Sequence, residues 1–284
     1  MPRLGLHALA FTPLWNPDEA DAYLPRIKEH GVRVIETPLL DPQNFDSAGT
    51  RKVAEKYDVE IVCSLGLPEE LNVMTRIDDV ADYLAHALQV AREAGAQALS
   101  GVTYGTIGKR SGAPPTASEI DSICRLIEKA SKSAKELNMR IGIEPCNRYE
   151  THLLNTAKQS ADFVDRVGAD NVFIHLDTYH MNIEEVSMAQ GFADAREHLG
   201  YVHLSESNRG VPGRGTLDWQ GCFEGLSAIG YDGILTLESF VYLAPEIASG
   251  LAVWRPVAEN PQDVIDVGLP FLTDKAKAAG MVWQ

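Results

Sequence analysis

Short apolar or β-branched runs recur along the chain at residues 4–10, 32–36, 60–65, 98–103, 140–144, 172–177, 201–205 and 234–238. Successive runs begin 28 to 42 residues apart. That is the length of a strand–helix–strand unit repeated without interruption. The runs are nearly continuous in apolar residues rather than alternating, which suits parallel strands covered on both faces.

The segments between the runs read as amphipathic helices with recognisable ends. In 78–94, Val80, Leu84, Ala87, Leu88 and Ala91 recur at helical spacing, and Gly95 stands where a C-terminal glycine belongs. Thr116-Ala-Ser-Glu119 has the spacing of a capping box ahead of Ile120, Ile123, Leu126 and Ile127, and Thr156 can cap a helix running to Val167 before Gly168. Eight parallel strands can close into a barrel or lie in an open sheet. An open nucleotide-binding sheet usually has a Gly-rich first turn, whereas the first strand here leads into Thr12-Pro13-Leu14-Trp15. The expected fold is therefore a single (β/α)8 TIM barrel over residues 1–284, eight parallel strands with outer helices. No Pro/Gly/Ser-rich linker, charge block or low-complexity tract divides it.

Composition narrows the partners. Twenty-five Lys and Arg face 40 Asp and Glu, a formal net charge of −15. Such a field repels nucleic-acid backbones and anionic membrane surfaces, so neither is expected as a partner. No apolar run approaches the ~20 residues that span a bilayer, and the first 15 residues lack a signal-peptide pattern. Cys63, Cys124, Cys146 and Cys222 form no C-x-x-C pair. Reduced thiols in a cytoplasmic protein are the expectation.

Barrel chemistry sits at the C-terminal strand ends. The last four runs end in or carry Glu144, Asp177, His203 and Glu238. A lone Glu at a strand end is ordinarily a loop hydrogen-bonding group, but four such residues on successive strands at one face argue for a shared ion. Three carboxylates at one mouth repel each other without a cation among them. With one imidazole they form a hard, oxygen-rich set suited to Mn²⁺, Mg²⁺ or Co²⁺. His175 shares a strand face with Asp177 but sits deeper, as an interior histidine behind the candidate ligands. His30, His86 and His198 are expected on helix surfaces. Above the strand ends, Glu150, His180 and Arg209 are placed as loop residues where substrate-binding groups belong, and His7 and Trp15 could wall the pocket beside the first strand. Cys146 lacks the His pairing of a nucleophile.

At these residues the chain resembles the D-tagatose 3-epimerase family of ketose 3-epimerases, which includes D-psicose (D-allulose) and L-ribulose 3-epimerases, on a xylose-isomerase-like TIM barrel. The segments that carry the resemblance begin with Ile143-Glu-Pro-Cys-Asn-Arg-Tyr-Glu150 with Leu154-Asn-Thr156, and Leu176-Asp-Thr-Tyr-His-Met-Asn-Ile-Glu-Glu185. They continue with His203, Glu206-Ser-Asn-Arg209, Val211-Pro-Gly-Arg-Gly215, Leu237-Glu-Ser-Phe240 and Val253-Trp-Arg255. The resemblance implies a divalent ion, usually Mn²⁺, on Glu144, Asp177, His203 and Glu238. It implies that Glu150, His180 and Arg209 hold the C1 to C3 oxygens of a ketose, that Glu144 and Glu238 double as acid and base, and that the protein is a homodimer or homotetramer. One position departs from the family: His7 replaces an aromatic residue found in many members where the pocket meets the distal sugar carbons.

The chemistry accounts for these residue types. A ketose C3 proton is acidic only because the C2 carbonyl can take up the charge, and a cation at O2 and O3 stabilises the resulting cis-enediolate. One carboxylate removes the proton and a second returns one to the opposite face. Aldose–ketose isomerases, hydroxypyruvate isomerases, inosose dehydratases and the endonuclease IV group use related barrels. The charge of −15 disfavours a nuclease, and product analysis separates an isomerase from an epimerase. A non-enzymatic sugar-binding protein would not require two flanking glutamates.

Overall fold

Burial on both faces decides the strands. A computed structural model describes residues 1–243, 248 and 250–284. Its strands are β1 (Arg3–His7), β2 (Val34–Pro38), β3 (Glu60–Gly66), β4 (Ala98–Val102), β5 (Arg140–Ile143), β6 (Val172–Asp177), β7 (Leu199–Ser205) and β8 (Ile234–Glu238). They pair in parallel in chain order, and β1 closes on β8 through Arg3↔Ile234 to Leu6↔Leu237, giving a closed eight-stranded barrel. All six residues of β6 are buried, as expected of a strand between a filled interior and an outer helix.

The outer layer comprises α1 (Leu24–Glu29), α2 (Ser47–Tyr57), α3 (Ile77–Glu93), α4 (Ala117–Glu136), α5 (Ala157–Val167), α6 (Thr178–Glu184), α7 (Met188–Ala195), α8 (Trp219–Ala228) and α9 (Leu269–Ala278). α3 buries Val80, Leu84, Ala87, Leu88 and Ala91, and Gly95 just beyond it has φ +93°. Thr116 and Glu119 form the capping box of α4, and Thr156 forms another with Gln159 on α5. The first apolar run stops being strand at His7. The imidazole Nδ1 there accepts the Leu9 N–H, and Ala8–Ala10 wind into a 3₁₀ turn. His198 lies in the turn before β7 rather than on a helix, within 2.8 Å of Asp165. Among the described residues no helix is long and apolar enough to cross a membrane.

One irregularity matters for the site. Ile174 pairs with Leu199 but His175 pairs with Tyr201, so β7 carries one extra residue, Gly200, across this step. A bulge of this kind re-aims the residues beyond it. Asp177 consequently stands opposite His203, and Ser205 stands opposite Glu238.

Candidate active site

Four of the residues singled out in the sequence reach the same barrel mouth. Glu144 follows β5, where its N–H donates to Gly101 O (3.0 Å) and its carbonyl accepts the Tyr104 hydroxyl (3.0 Å). Asp177 ends β6 and caps α6, its Oδ1 accepting the Tyr179 N–H at 2.8 Å. His203 points Nδ1 at Glu238 Oε1 (3.2 Å), with Glu144 Oε1 at 3.9 Å. All four are buried. Nδ1 of His203 has no hydrogen-bond partner. Asp177, His203 and Glu238 each offer a ligand atom within 4.8 Å of the others, as do Glu144, His175 and His203. An unpartnered imidazole nitrogen among three carboxylates fits a hard divalent ion.

The second group surrounds this one. His180 lies on α6, not in a loop, because the helix begins directly after Asp177. Its Nδ1 accepts the Asn147 N–H (3.2 Å), and its Nε2 lies 3.3 Å from the Arg209 guanidinium, 3.7 Å from Glu144 and 3.8 Å from Asp177. Asn147 also donates to Glu150 Oε1 at 2.8 Å, so one amide organises both residues. Arg209 has φ +61°, unusual for a side-chain-bearing residue, and its guanidinium reaches Asp177 and Glu238 while stacking 3.8 Å from the Tyr179 ring centroid. The Arg209 carbonyl accepts from Phe240 N (3.0 Å) and Ser239 Oγ (2.8 Å), tying this loop to the end of β8.

Burial and mutual repulsion push the carboxyls apart in acidity. Glu144 is raised well above its ordinary range, by burial first and then by Glu238 and Asp177. Burial likewise lifts Glu238 to about 7, against the pull of His203 and Arg209. Burial acts the same way on Asp177, but Arg209, His180 and His203 overcome it and hold this carboxyl well below its usual range. His203 goes up to about 10 because Glu36 and Glu238 outweigh burial. Two carboxyls raised above their ordinary range beside one held below it is a division of labour suited to proton transfer.

A cavity of about 600 Å³ opens here, and His7, Glu36, Glu144, His203 and Glu238 supply its polar lining with Ser64. Leu9, Pro13, Pro38, Leu65, Val102, Ile107 and Phe240 line most of the rest, and no Lys or Arg is among its described lining residues. Trp15, expected to wall the pocket, is not among the described residues that line this cavity. After the 3₁₀ turn the chain folds back, the indole N–H donates to Thr50 Oγ1 on α2 (2.9 Å), and the ring packs in the core against Phe11.

The sequence reading passed over Glu36, Asn147 and Tyr201. Glu36 carried a signal: it is the charged residue that closes the run 32–36. Asn147 and Tyr201 carried none, since an amide in a loop and an aromatic in a strand are ordinary. His175 is interior, its Nδ1 3.0 Å from Ser100 Oγ, and burial lowers its pKa well below the usual value. Cys146 is buried, and burial beside Glu144 and Glu150 pushes its thiol up, away from the thiolate.

A family model described as a xylose isomerase-like TIM barrel matches residues 24–257. A ketose 3-epimerase of Arthrobacter globiformis is 32% identical over 282 residues, covering 97% of this chain and 97% of that protein. An L-ribulose 3-epimerase of Methylomonas sp. (strain DH-1) is 33% identical over 277 residues, with 95% and 96% covered. The crystal structure of a His-tagged D-allulose 3-epimerase from Methylomonas sp. in complex with D-allulose superposes with a TM-score of 0.90 at 32% identity, covering 96% of this chain and 97% of that one.

Proposed function

The chain belongs to the xylose isomerase-like TIM-barrel family and, within it, to the ketose 3-epimerases, and from that premise we propose that it inverts C3 of free ketoses of the L-ribulose, D-tagatose and D-psicose/D-fructose type. The observation that carries the reading is the unpartnered Nδ1 of His203 among Glu144, Asp177 and Glu238. These four residues hold a divalent ion, Mn²⁺ foremost, with Co²⁺ or Mg²⁺ as substitutes. When bound, it supplies the positive charge that polarises the C2 carbonyl.

Glu144 and Glu238 approach from different strands and act on opposite faces of C3. One removes the proton to leave a cis-enediolate, and the other returns a proton from the far side. Their raised pKa values make each a stronger base and a readier proton carrier than an ordinary carboxylate, and the roles reverse with the direction of the reaction. His180, Glu150 and Arg209 hold the oxygens of C1 to C3, with Asn147 orienting the His180 ring. His7 and the apolar wall meet the distal carbons. Among the described residues the cavity lining has no Lys or Arg, and Arg209 beside it is already paired with Asp177 and Glu238, which favours a neutral free sugar over a sugar phosphate.

The reading takes residues 1–284 as one catalytic domain in a cytoplasmic homodimer or homotetramer, an assignment carried by the family and by four free, buried cysteines. The test is a panel of tagatose, fructose, psicose, sorbose, ribulose and xylulose incubated with Mn²⁺ and the protein, with products resolved by chromatography. C3 epimers are expected. Aldoses as the main products, or no turnover on any ketose, would overturn it.

A further inference from the structure

Outside the four candidate ligands, the most unusual group is Glu36. It lies on β2, opposite His7 on β1 and Val62 on β3, and is fully buried in the barrel interior. A carboxylate in such a place is costly unless its oxygens are satisfied. Oε2 is 2.6 Å from His203 Nε2 and accepts the Tyr201 hydroxyl at 2.6 Å, while that hydroxyl lies 2.6 Å from Thr236 Oγ1. Oε1 lies 3.6 Å from His7 Nε2, which carries the proton because His7 Nδ1 accepts from Leu9. His203 and Tyr201 on β7 thus hold one oxygen of this carboxylate directly below the candidate ion site, while Oε1 faces His7 without a hydrogen-bond partner.

We propose that Glu36 is a positioning residue for that site: by accepting the Nε2–H of His203 it fixes the ring so that Nδ1 faces Glu144 and Glu238. The inference rests on the proposed ion-binding reading of those residues. An imidazole has two nitrogens, and the partner of one decides what the other can do. With Nε2–H committed to Glu36, Nδ1 is the nitrogen aimed at the mouth, the one that gives up its proton to an incoming ion, and the negative charge behind the ring makes it a better donor. A carboxamide at position 36 can turn its NH₂ toward Nε2, which favours the opposite tautomer and places a proton on Nδ1.

The test uses the full chain stripped of ions and two measurements. In proton NMR spectra, a hydrogen-bonded imidazole N–H resonance, assigned to His203 by its loss in His203→Asn, is expected to vanish in Glu36→Gln and to persist in Tyr201→Phe. By calorimetric titration with Mn²⁺, the Kd of Glu36→Gln should rise about 10–100-fold, whereas Tyr201→Phe, which removes the other donor to the same oxygen, stays close to wild type. An unchanged Kd in Glu36→Gln, or an equal loss in both variants, would overturn the proposal and leave Glu36 as packing. If the wild-type protein takes up no Mn²⁺, the ion-site reading falls, and the resonance still decides: its persistence in Glu36→Gln overturns the positioning role. Should Glu36→Gln not fold, Glu36→Asp, which keeps the charge and withdraws it by one methylene, carries the same two measurements.

Discussion

Asp177 stands directly opposite His203 because β7 spends one more residue than β6 between Ile174/Leu199 and His175/Tyr201. Gly200 is that extra residue, and a Cβ there would lie 2.7 Å from the Phe173 ring. Gly200→Ala is therefore expected to cost about 1–3 kcal/mol through overpacking. Gly200→Ala/Phe173→Leu should recover part of that loss, because the two sites share one contact. Thermal unfolding of the three variants checks this. A fully stable Gly200→Ala would mean that the close approach does not constrain the bulge.

Glu144→Gln and Glu238→Gln each remove one of the two proposed acid–base groups and one ion ligand. A loss of at least about 100-fold in kcat is expected for either. Substantial turnover by both variants with ion still bound would exclude the two-glutamate scheme.

Asn147 orients His180 from both its main-chain and side-chain nitrogens and braces Glu150. Asn147→Asp keeps the shape but cannot donate from the side chain. Losing both side-chain bonds, to the substrate-binding imidazole and to Glu150, should lower kcat/KM by at least roughly 10-fold, or about 1.4 kcal/mol. Steady-state kinetics on the preferred ketose decide the matter, and unchanged kcat/KM would remove Asn147 from the account.

Burial lowers the His7 pKa from 6.5 to about 4. A histidine that is neutral in the fold but free to charge when unfolded contributes stability that is fully present above pH 6.5 and is lost as pH falls through about 4. His7→Phe lacks this acid sensitivity. The unfolding free-energy difference between wild type and variant should shrink by about 3 kcal/mol between pH 7 and pH 4. Denaturant titrations across that range measure it, and parallel pH curves would contradict the buried neutral assignment.

Removal of divalent ions by a chelator should abolish epimerisation, with Mn²⁺ or Co²⁺ restoring it. The same ions should raise stability by mass action, about 2.7 kcal/mol at a free concentration 100 times Kd. Full activity in ion-free protein, or no change in melting temperature on adding Mn²⁺, would count against the ion site.

The barrel is legible in the sequence because each of its units repeats one pattern, an apolar run followed by a capped amphipathic helix. Runs 172–177 and 234–238 match β6 and β8 in full. The rule that a charged residue at a strand end marks the mouth brings Glu144, Asp177, His203 and Glu238 together. Applied to the first half of the chain it also picks out Glu36, the charged exception among run ends that are otherwise uncharged. Other features depend on geometry that no residue type announces. The Gly200 bulge follows from register, the α6 position of His180 follows from Asp177 serving as a helix cap, and Trp15 turns inward because a 3₁₀ turn redirects the chain after β1. Asn147 and Tyr201 matter through what they touch, and touching is a tertiary property.

The cavity wall is divided. Glu144 and Glu238 come from the second half of the barrel, whereas Pro38, Leu65, Val102 and Ile107 come from the first. Residues on the apolar side make few hydrogen bonds to the reacting groups, so they can be exchanged with little disturbance to proton transfer. A lineage built this way can explore new sugars by altering β2 to β4 and their loops while its chemistry stays fixed. The exception is Glu36, rooted on the apolar side but bonded to His203 on the other. It is the point at which a change of diet would reach the reaction.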